Sequence, residues 1–367
     1  MKFPLVIALA TALAMIGCGK KEEPASTTAA PAPAVDAGFS NVRWQVPMAF
    51  ASSLTALGDT MPKVSEMLAA SSGGRVNLQV FEPGALIPAL GIFENVSNGN
   101  MSAGYSWMGY EWGQVPVSAL FGATPFGLES AEFVAWMHFH GGDELLKEAF
   151  APHNVYPILC GTISPEAAGW FRQPITSVDQ FRGMKFRAAG VGGEIMAEFG
   201  KSVTMLPGGE LYQALETGVL DATEFSLPTV DEQLGFFQVA KYYALPGWHQ
   251  PSTNQFLYVN MDEWNKLNDQ TKALIENTCM AANMYALARA EALQGAALKR
   301  FVEQGVTLMQ YDDDILDAFK EATDRVMARR SAGDPMWAKV YDSMMEFQAE
   351  HAVWKNFGYL PRDFGME

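Results

Sequence analysis

The groups best able to do chemistry in this 367-residue chain are five histidines, three cysteines and a surplus of carboxylates. Their spacing argues against catalysis. His138 and His140 stand two apart, on different faces of a helix, where they cannot share a metal ion. Trp136 and Phe139 beside them indicate helix packing. His249 follows Trp248 in a Gly-Trp-His-Gln run that holds no nucleophile. Gly190-Val191-Gly192-Gly193 falls between a strand and a helix, but without the rest of a nucleotide fingerprint it reads as a tight turn at a helix start. A Gly-x-Ser-x-Gly elbow, a His-Glu-x-x-His pair and a phosphate loop are all missing from the sequence. Cys160 ends an apolar strand and Cys279 lies in a helical run, neither near another metal-ligand residue. They read as two buried thiols rather than a disulfide or a zinc site.

Charge narrows the partners. Acidic residues outnumber basic ones 41 to 25, for a formal net charge of −16. Such a surface repels phosphate backbones, so nucleic acid is an unsuitable partner. An acidic protein that binds an anion must do so locally, through a buried arginine, a metal ion or both. Hydrophobic content of 49% suits a folded core.

The elements that would position such a site alternate between strand and helix. Strands are expected at Arg43 to Phe50, Arg75 to Phe81, Val155 to Cys160, Met184 to Ala188, Phe256 to Asn260 and Val306 to Gln310. Helices are expected at Thr55 to Ala70, Ala89 to Asn98, Gly193 to Gly200 and Leu211 to Thr217, with a long Ala-rich helix over Asn268 to Glu303. This is an α/β pattern with mixed, mainly parallel sheets flanked by helices. The chain returns to an earlier lobe after a middle one, the construction of a two-lobe clamp with a long lobe-spanning helix and a helical C-terminus.

At the N-terminus, Lys2 precedes an uncharged apolar run to Gly17, too short to span a bilayer and suited to a signal peptide over 1–18. Its end, Leu13-Ala14-Met15-Ile16-Gly17-Cys18, resembles a bacterial lipobox, in which Cys18 would be acylated and hold the protein at a membrane surface. Residues 19–41, poor in large apolar side chains, would form a flexible tether.

Several segments together are similar to the periplasmic solute-binding subunits of tripartite ATP-independent periplasmic (TRAP) transporters. They are Phe81-Glu82-Pro83-Gly84, Val96-Ser97-Asn98-Gly99, Gly169-Trp170-Phe171-Arg172, Phe181-Arg182-Gly183-Met184-Lys185-Phe186-Arg187, Gly208 to Gly218, Asp221-Ala222-Thr223-Glu224 and Pro246-Gly247-Trp248. The resemblance runs from Val42 to the C-terminus and is nearest the branch that binds 2-oxo acids and lactate-like monocarboxylates. It implies a periplasmic-binding-protein fold whose first lobe comprises 42–161 with 252–285 and whose second comprises 162–251 with 286–320. Residues 321–367 would form C-terminal helices able to exchange in a homodimer.

The same resemblance implies a periplasmic, lipid-anchored receptor and not an enzyme. It would close on a small monocarboxylate such as pyruvate or lactate and deliver it to the small and large membrane subunits of the permease. A dicarboxylate or other organic acid is the alternative ligand, and a secreted enzyme on this scaffold the alternative class. Arg187 would pair with the ligand carboxylate, for which a guanidinium fork is suited. A bound cation, sodium or calcium, would be held by Glu166, Glu224, the Phe225 carbonyl and Gln250, with no organic cofactor. The branch carries glutamine where Glu166 stands and glutamate where Gln250 stands, so acid and amide are exchanged here. Tyr105, Trp107, Trp248 and Asn254 are the further ligand-contact candidates, beside Glu166, and Phe126 is a candidate for apolar closure.

Overall fold

The alternating segments around Trp44 and Leu78 become parallel strands β1 (Val42–Pro47) and β2 (Val76–Phe81), each burying every second side chain over most of its length. The computed structural model describes residues 38–361 apart from Lys201. The expected signal peptide, Cys18 and most of the tether lie outside the described residues. Strand β3 (Ala103–Trp107) joins β1 through a parallel bridge between Met48 and Tyr105, and β4 (Val155–Ile163) ends the first pass. The chain then crosses to a second sheet with β5 (Gly169–Phe171), β6 (Lys185–Arg187), β7 (Ser202–Thr204), β8 (Ala222–Thr223) and β9 (Tyr242–Leu245). It returns with β10 (Thr253–Asn260), which inserts between β3 and β4. The helix Asp269–Glu303 then leads back to β11 (Thr307–Gln310) beside β9.

Two lobes result, one around β3-β10-β4 with β1 and β2, the other a sheet of order β11-β9-β5-β8-β6-β7. Parallel pairing holds for β1 with β2, for β6 with β7 and β8, and for β9 with β11. Every antiparallel pair among the described residues involves β5 or β10, the first strands after the first and second crossings between lobes, whereas β11, after the third, pairs parallel with β9.

Two expected boundaries shift for local reasons. The helix expected from Thr55 begins at Thr60, because Ala56 has φ +62° and the Thr55 amide donates to Gln233 Oε1 at 3.0 Å. The glycine run expected as a turn is the first turn of the helix Gly190–Glu198. Gly190 has φ +58°, and a Cβ there would lie 3.1 Å from the Trp107 ring, so only glycine fits without strain.

Cys160 and Cys279 form a disulfide, which corrects the reading of them as free thiols. The long helix lies across β4 and brings the two residues, 119 apart in sequence, to a Cα separation of 4.3 Å. Their partnership depends on that tertiary crossing and leaves no trace in local sequence. Closing so long a loop restricts the unfolded chain, so Cys160→Ala/Cys279→Ala should lose about 2–4 kcal/mol. Urea unfolding of the two proteins checks this, and equal midpoints would contradict it.

The C-terminal helix Pro335–Gly358 buries Trp337, Val340, Met344 and Phe347. It packs on its own first lobe, where the Trp136 indole donates to Ser343, Gln348 donates to the Phe126 carbonyl, and Lys339 pairs with Glu148. Beyond Phe347 the helix opens to solvent, with Trp354 58% and Phe357 88% exposed. Among the described residues no helix is long and apolar enough to cross a membrane.

Candidate ligand and cation site

Arg187 ends β6 and lies opposite Thr223 of β8 and Thr204 of β7, at the carboxyl ends of three parallel strands, where open α/β sheets place their ligands. The side chain is 2% exposed. Its Nε donates to the Leu206 carbonyl at 3.1 Å, and its Nη1 donates to both the carbonyl and Oε1 of Glu224 at 2.9 Å. The Ala189 amide adds a second bond to Glu224 Oε1 at 2.8 Å. Beneath the guanidinium lies the Phe225 ring, 5.2 Å away. Arg187 is therefore held in one orientation by contacts it would keep with or without a ligand.

The two crossing segments between the lobes supply the rest. Glu166, from the first crossing, donates its amide to the Gln250 carbonyl at 3.1 Å, while its own carbonyl accepts from the Gly247 amide at 3.0 Å. A Cβ on Gly247 would sit 2.2 Å from that carbonyl, so the close approach of the crossings requires glycine. Glu166 Oε1 accepts from the Ser226 hydroxyl at 3.2 Å. His249, from the second crossing, places Nε2 3.7 Å from Glu224 Oε2.

Three atoms in this cluster lack a hydrogen-bond partner although buried: Glu166 Oε2, Glu224 Oε2 and His249 Nε2. Glu166, Glu224 and His249 each offer a ligand atom within 4.8 Å of the others. Burial and then the nearby Glu224 hold the Glu166 carboxyl well above the usual carboxylate range. Burial also raises Glu224, but Arg187 and His249 outweigh it and bring Glu224 below that range. A site with one acid held above its ordinary range and with unpartnered buried oxygens is deficient in positive charge. The residues present therefore fit a cation, and two carboxylates suit a hard one.

Arg187, Glu166, Glu224, Phe225, Gln250 and Trp107 line one small cavity, together with Phe50, Leu57, Tyr110, Ala189 and Thr253. Sequence reasoning found the first six. Tyr110, whose hydroxyl burial pushes up to about 12 and which faces Arg187, was missed. His249 was considered only for catalysis, although its place beside Gln250 in the Gly-Trp-His-Gln loop was the available signal. Tyr105 and Asn254 are not brought to the cavity. Tyr105 is fully buried in the first lobe near Gly161 and Gln255. Asn254 donates to the Phe121 and Gly122 carbonyls at 3.2 Å. Trp248 and Phe126 pack on each other at 5.7 Å, and Trp248 stacks on Phe319 at 4.4 Å.

Two further buried acids hold the scaffold. Asp231 accepts from the Trp170 indole and the Tyr243 hydroxyl, both at 2.9 Å, and Glu111 accepts from Ser106 at 3.4 Å. Burial pushes each carboxyl up to about 8. A carboxyl raised in the folded state stabilises the fold fully below its unfolded value and loses that contribution as pH climbs through the folded value. Stability should therefore decline from the ordinary value of 4.5 for Glu111 to about 8. Glu111→Gln should remove part of that slope, read as unfolding midpoint against pH. An unchanged slope would contradict it.

A family model described as bacterial extracellular solute-binding protein, family 7, matches residues 49–333. A monocarboxylate 2-oxoacid-binding periplasmic protein of Nostoc sp. is 31% identical over 327 residues, 89% of each chain. Among solved structures, a TRAP periplasmic solute-binding protein from Pseudoalteromonas atlantica with bound sodium and pyruvate is similar. It has TM-score 0.83 and 28% identity, over 87% of this chain and 97% of the other. A counterpart from Colwellia psychrerythraea with bound calcium and pyruvate has the same score and identity, over 86% and 97%.

Proposed function

Because the chain belongs to bacterial extracellular solute-binding protein family 7, we propose that it captures a small 2-oxo or 2-hydroxy monocarboxylate, together with sodium or calcium. It is a solute-binding protein of the TRAP class, which presents its ligand to a membrane permease. The observation that carries the ligand reading is the convergence of Arg187, Glu166 and Glu224 on one buried cavity, with His249 beside the two carboxylates. Nε and Nη1 of Arg187 are committed to the protein, which leaves the Nη2 edge to meet a ligand carboxylate. Arg187 is the one cationic side chain among the described residues that line the cavity, so a second carboxylate would find no partner there. This disfavours a dicarboxylate.

Glu166 and Glu224 would hold the cation, with the Phe225 carbonyl and Gln250 as neutral oxygen donors. A bound cation supplies positive charge against the two carboxylates and the ligand oxygens. Tyr110, Trp107, Phe50 and Leu57 exclude water from the first-lobe side. The protein acts as a periplasmic receptor without turnover. Acylation of Cys18 would anchor it, supported by the small residues that precede that cysteine, and the exposed Trp354 and Phe357 support pairing through the C-terminal helix.

Thermal unfolding against a panel of organic acids, with and without sodium or calcium, tests the reading. A ligand at a hundred times its dissociation constant adds about 2.7 kcal/mol of stability. Pyruvate or lactate should raise the midpoint, and removal of the cation should cancel the rise. A rise with dicarboxylates alone would sink the ligand assignment, and consumption of the bound acid would sink the receptor reading.

A further inference from the structure

The ligand cavity has a much larger neighbour. The polar cavity leaves about 20 Å³ open to the centre of a water molecule, whereas the adjacent cleft leaves about 580 Å³. Phe50 and Phe225 line both. The second chamber is otherwise bounded mainly by apolar or small residues, among them Leu54, Pro88, Leu90 and Leu234, with Glu82 and Glu210 as its acidic members. Resting on the monocarboxylate reading above, we infer that the Phe50 and Phe225 rings are a partition that sets the maximum length of the ligand. With it in place the carbon chain must end within the polar cavity; opened, it would admit apolar tails to the larger chamber.

Each ring is fixed by its surroundings. Phe50 is 4% exposed, packs against Tyr110 at 6.0 Å, and begins a loop so tight that a Cβ on Gly58 would meet the Ala51 carbonyl at 1.8 Å. Phe225 lies under Arg187 and against Phe236, and a Cβ on Gly208 would come within 2.4 Å of its ring. Neither ring can swing aside without moving its neighbours, and close-packed surroundings resist that. Phe50 is the better point of attack, because Phe225 also supports Arg187.

The chemistry of the second chamber fixes the tail it would take. Apolar walls favour methylenes, each contributing up to about fourfold in affinity when fully buried. Glu82 and Glu210, both exposed, would repel a terminal carboxylate.

The test is calorimetric titration of the protein with pyruvate, lactate, 2-oxohexanoate, 2-oxooctanoate and 2-oxoglutarate, with calcium present, for the wild type, Phe50→Ala and Phe50→Leu. The wild type should favour pyruvate. In Phe50→Ala the affinity for 2-oxohexanoate relative to pyruvate should rise by about tenfold or more, Phe50→Leu should fall between, and 2-oxoglutarate should not gain. An unchanged order of chain lengths in both variants, or a wild type that binds 2-oxooctanoate as well as pyruvate, overturns the partition. An equal gain for 2-oxoglutarate overturns the apolar-tail assignment. If the wild type binds neither a 2-oxo acid of any length nor lactate, the underlying ligand reading fails and the partition fails with it.

Discussion

Arg187→Ala is expected to abolish carboxylate binding and to destabilise the protein at the same time. Arg187 and Glu224 are both almost completely buried, and their ion pair is 2.9 Å long. Truncating one member of such a pair leaves the other charge buried and unpaired, at a cost of about 3–5 kcal/mol. A ligand carboxylate would lose its guanidinium partner as well, a further 2–5 kcal/mol or so of binding energy. The two effects separate in the double variant. Arg187→Ala/Glu224→Ala removes the stranded charge, so much of the stability should return while binding does not. Arg187→Lys keeps the charge, yet an ammonium cannot span the Leu206 carbonyl and both Glu224 oxygens in the fixed geometry of the fork. It should fold well and bind weakly. Calorimetric titration with pyruvate beside thermal unfolding reads both quantities. Binding by Arg187→Ala within a few-fold of wild type would remove Arg187 from the site.

How much of this was visible in the residues depends on how locally each feature is determined. Arg187 and Glu224 were legible because Arg187 ends β6 and Glu224 directly follows β8, each inside a recognisable run. Glu166 was legible by its place ahead of Gly169-Trp170-Phe171. Tyr105 was misplaced by depth. It shares a strand face with Trp107 but lies two residues, about 7 Å, further from the end of β3 that the cavity occupies. Asn254 was misplaced by facing, since neighbouring strand residues point to opposite sides, and Thr253 beside it takes the cavity side. Tyr110 reaches the cavity, and His249 the carboxylates that line it, only because two crossing segments and one loop meet there. The Cys160–Cys279 bond was hidden for a similar reason, being made by a helix laid across a sheet. Sequence periodicity reports which face of an element is buried; it does not report which other element lies against that face.

The acid at Glu166, next to the amide of Gln250, gives the second large effect. Burial and Glu224 hold the Glu166 carboxyl well above its ordinary 4.5. In cation-free protein its contribution is complete below that ordinary value and is lost as pH rises through the raised one. Glu166→Gln should therefore leave cation-free protein at least as stable as wild type at neutral pH, since an amide needs no charge partner. The same change removes one of the two carboxylates that make the cavity hospitable to a hard cation. Its response to calcium with pyruvate should then fall from about 2.7 kcal/mol, at a hundred times the wild-type dissociation constant, to a small fraction of that. Carrying the charge across the contact between the two crossings should repair the loss. Glu166→Gln/Gln250→Glu keeps the formal charge of the cavity, and the Glu166 amide is bonded to the Gln250 carbonyl at 3.1 Å, so the new carboxylate starts from the adjacent backbone. Recovery of the calcium response in the double variant, but not in Glu166→Gln alone, would establish that Glu166 serves the site through its charge. Full response in Glu166→Gln alone would show instead that Glu224 and neutral oxygens suffice, and Glu166 would be reduced to a neutral hydrogen-bonding partner of Ser226.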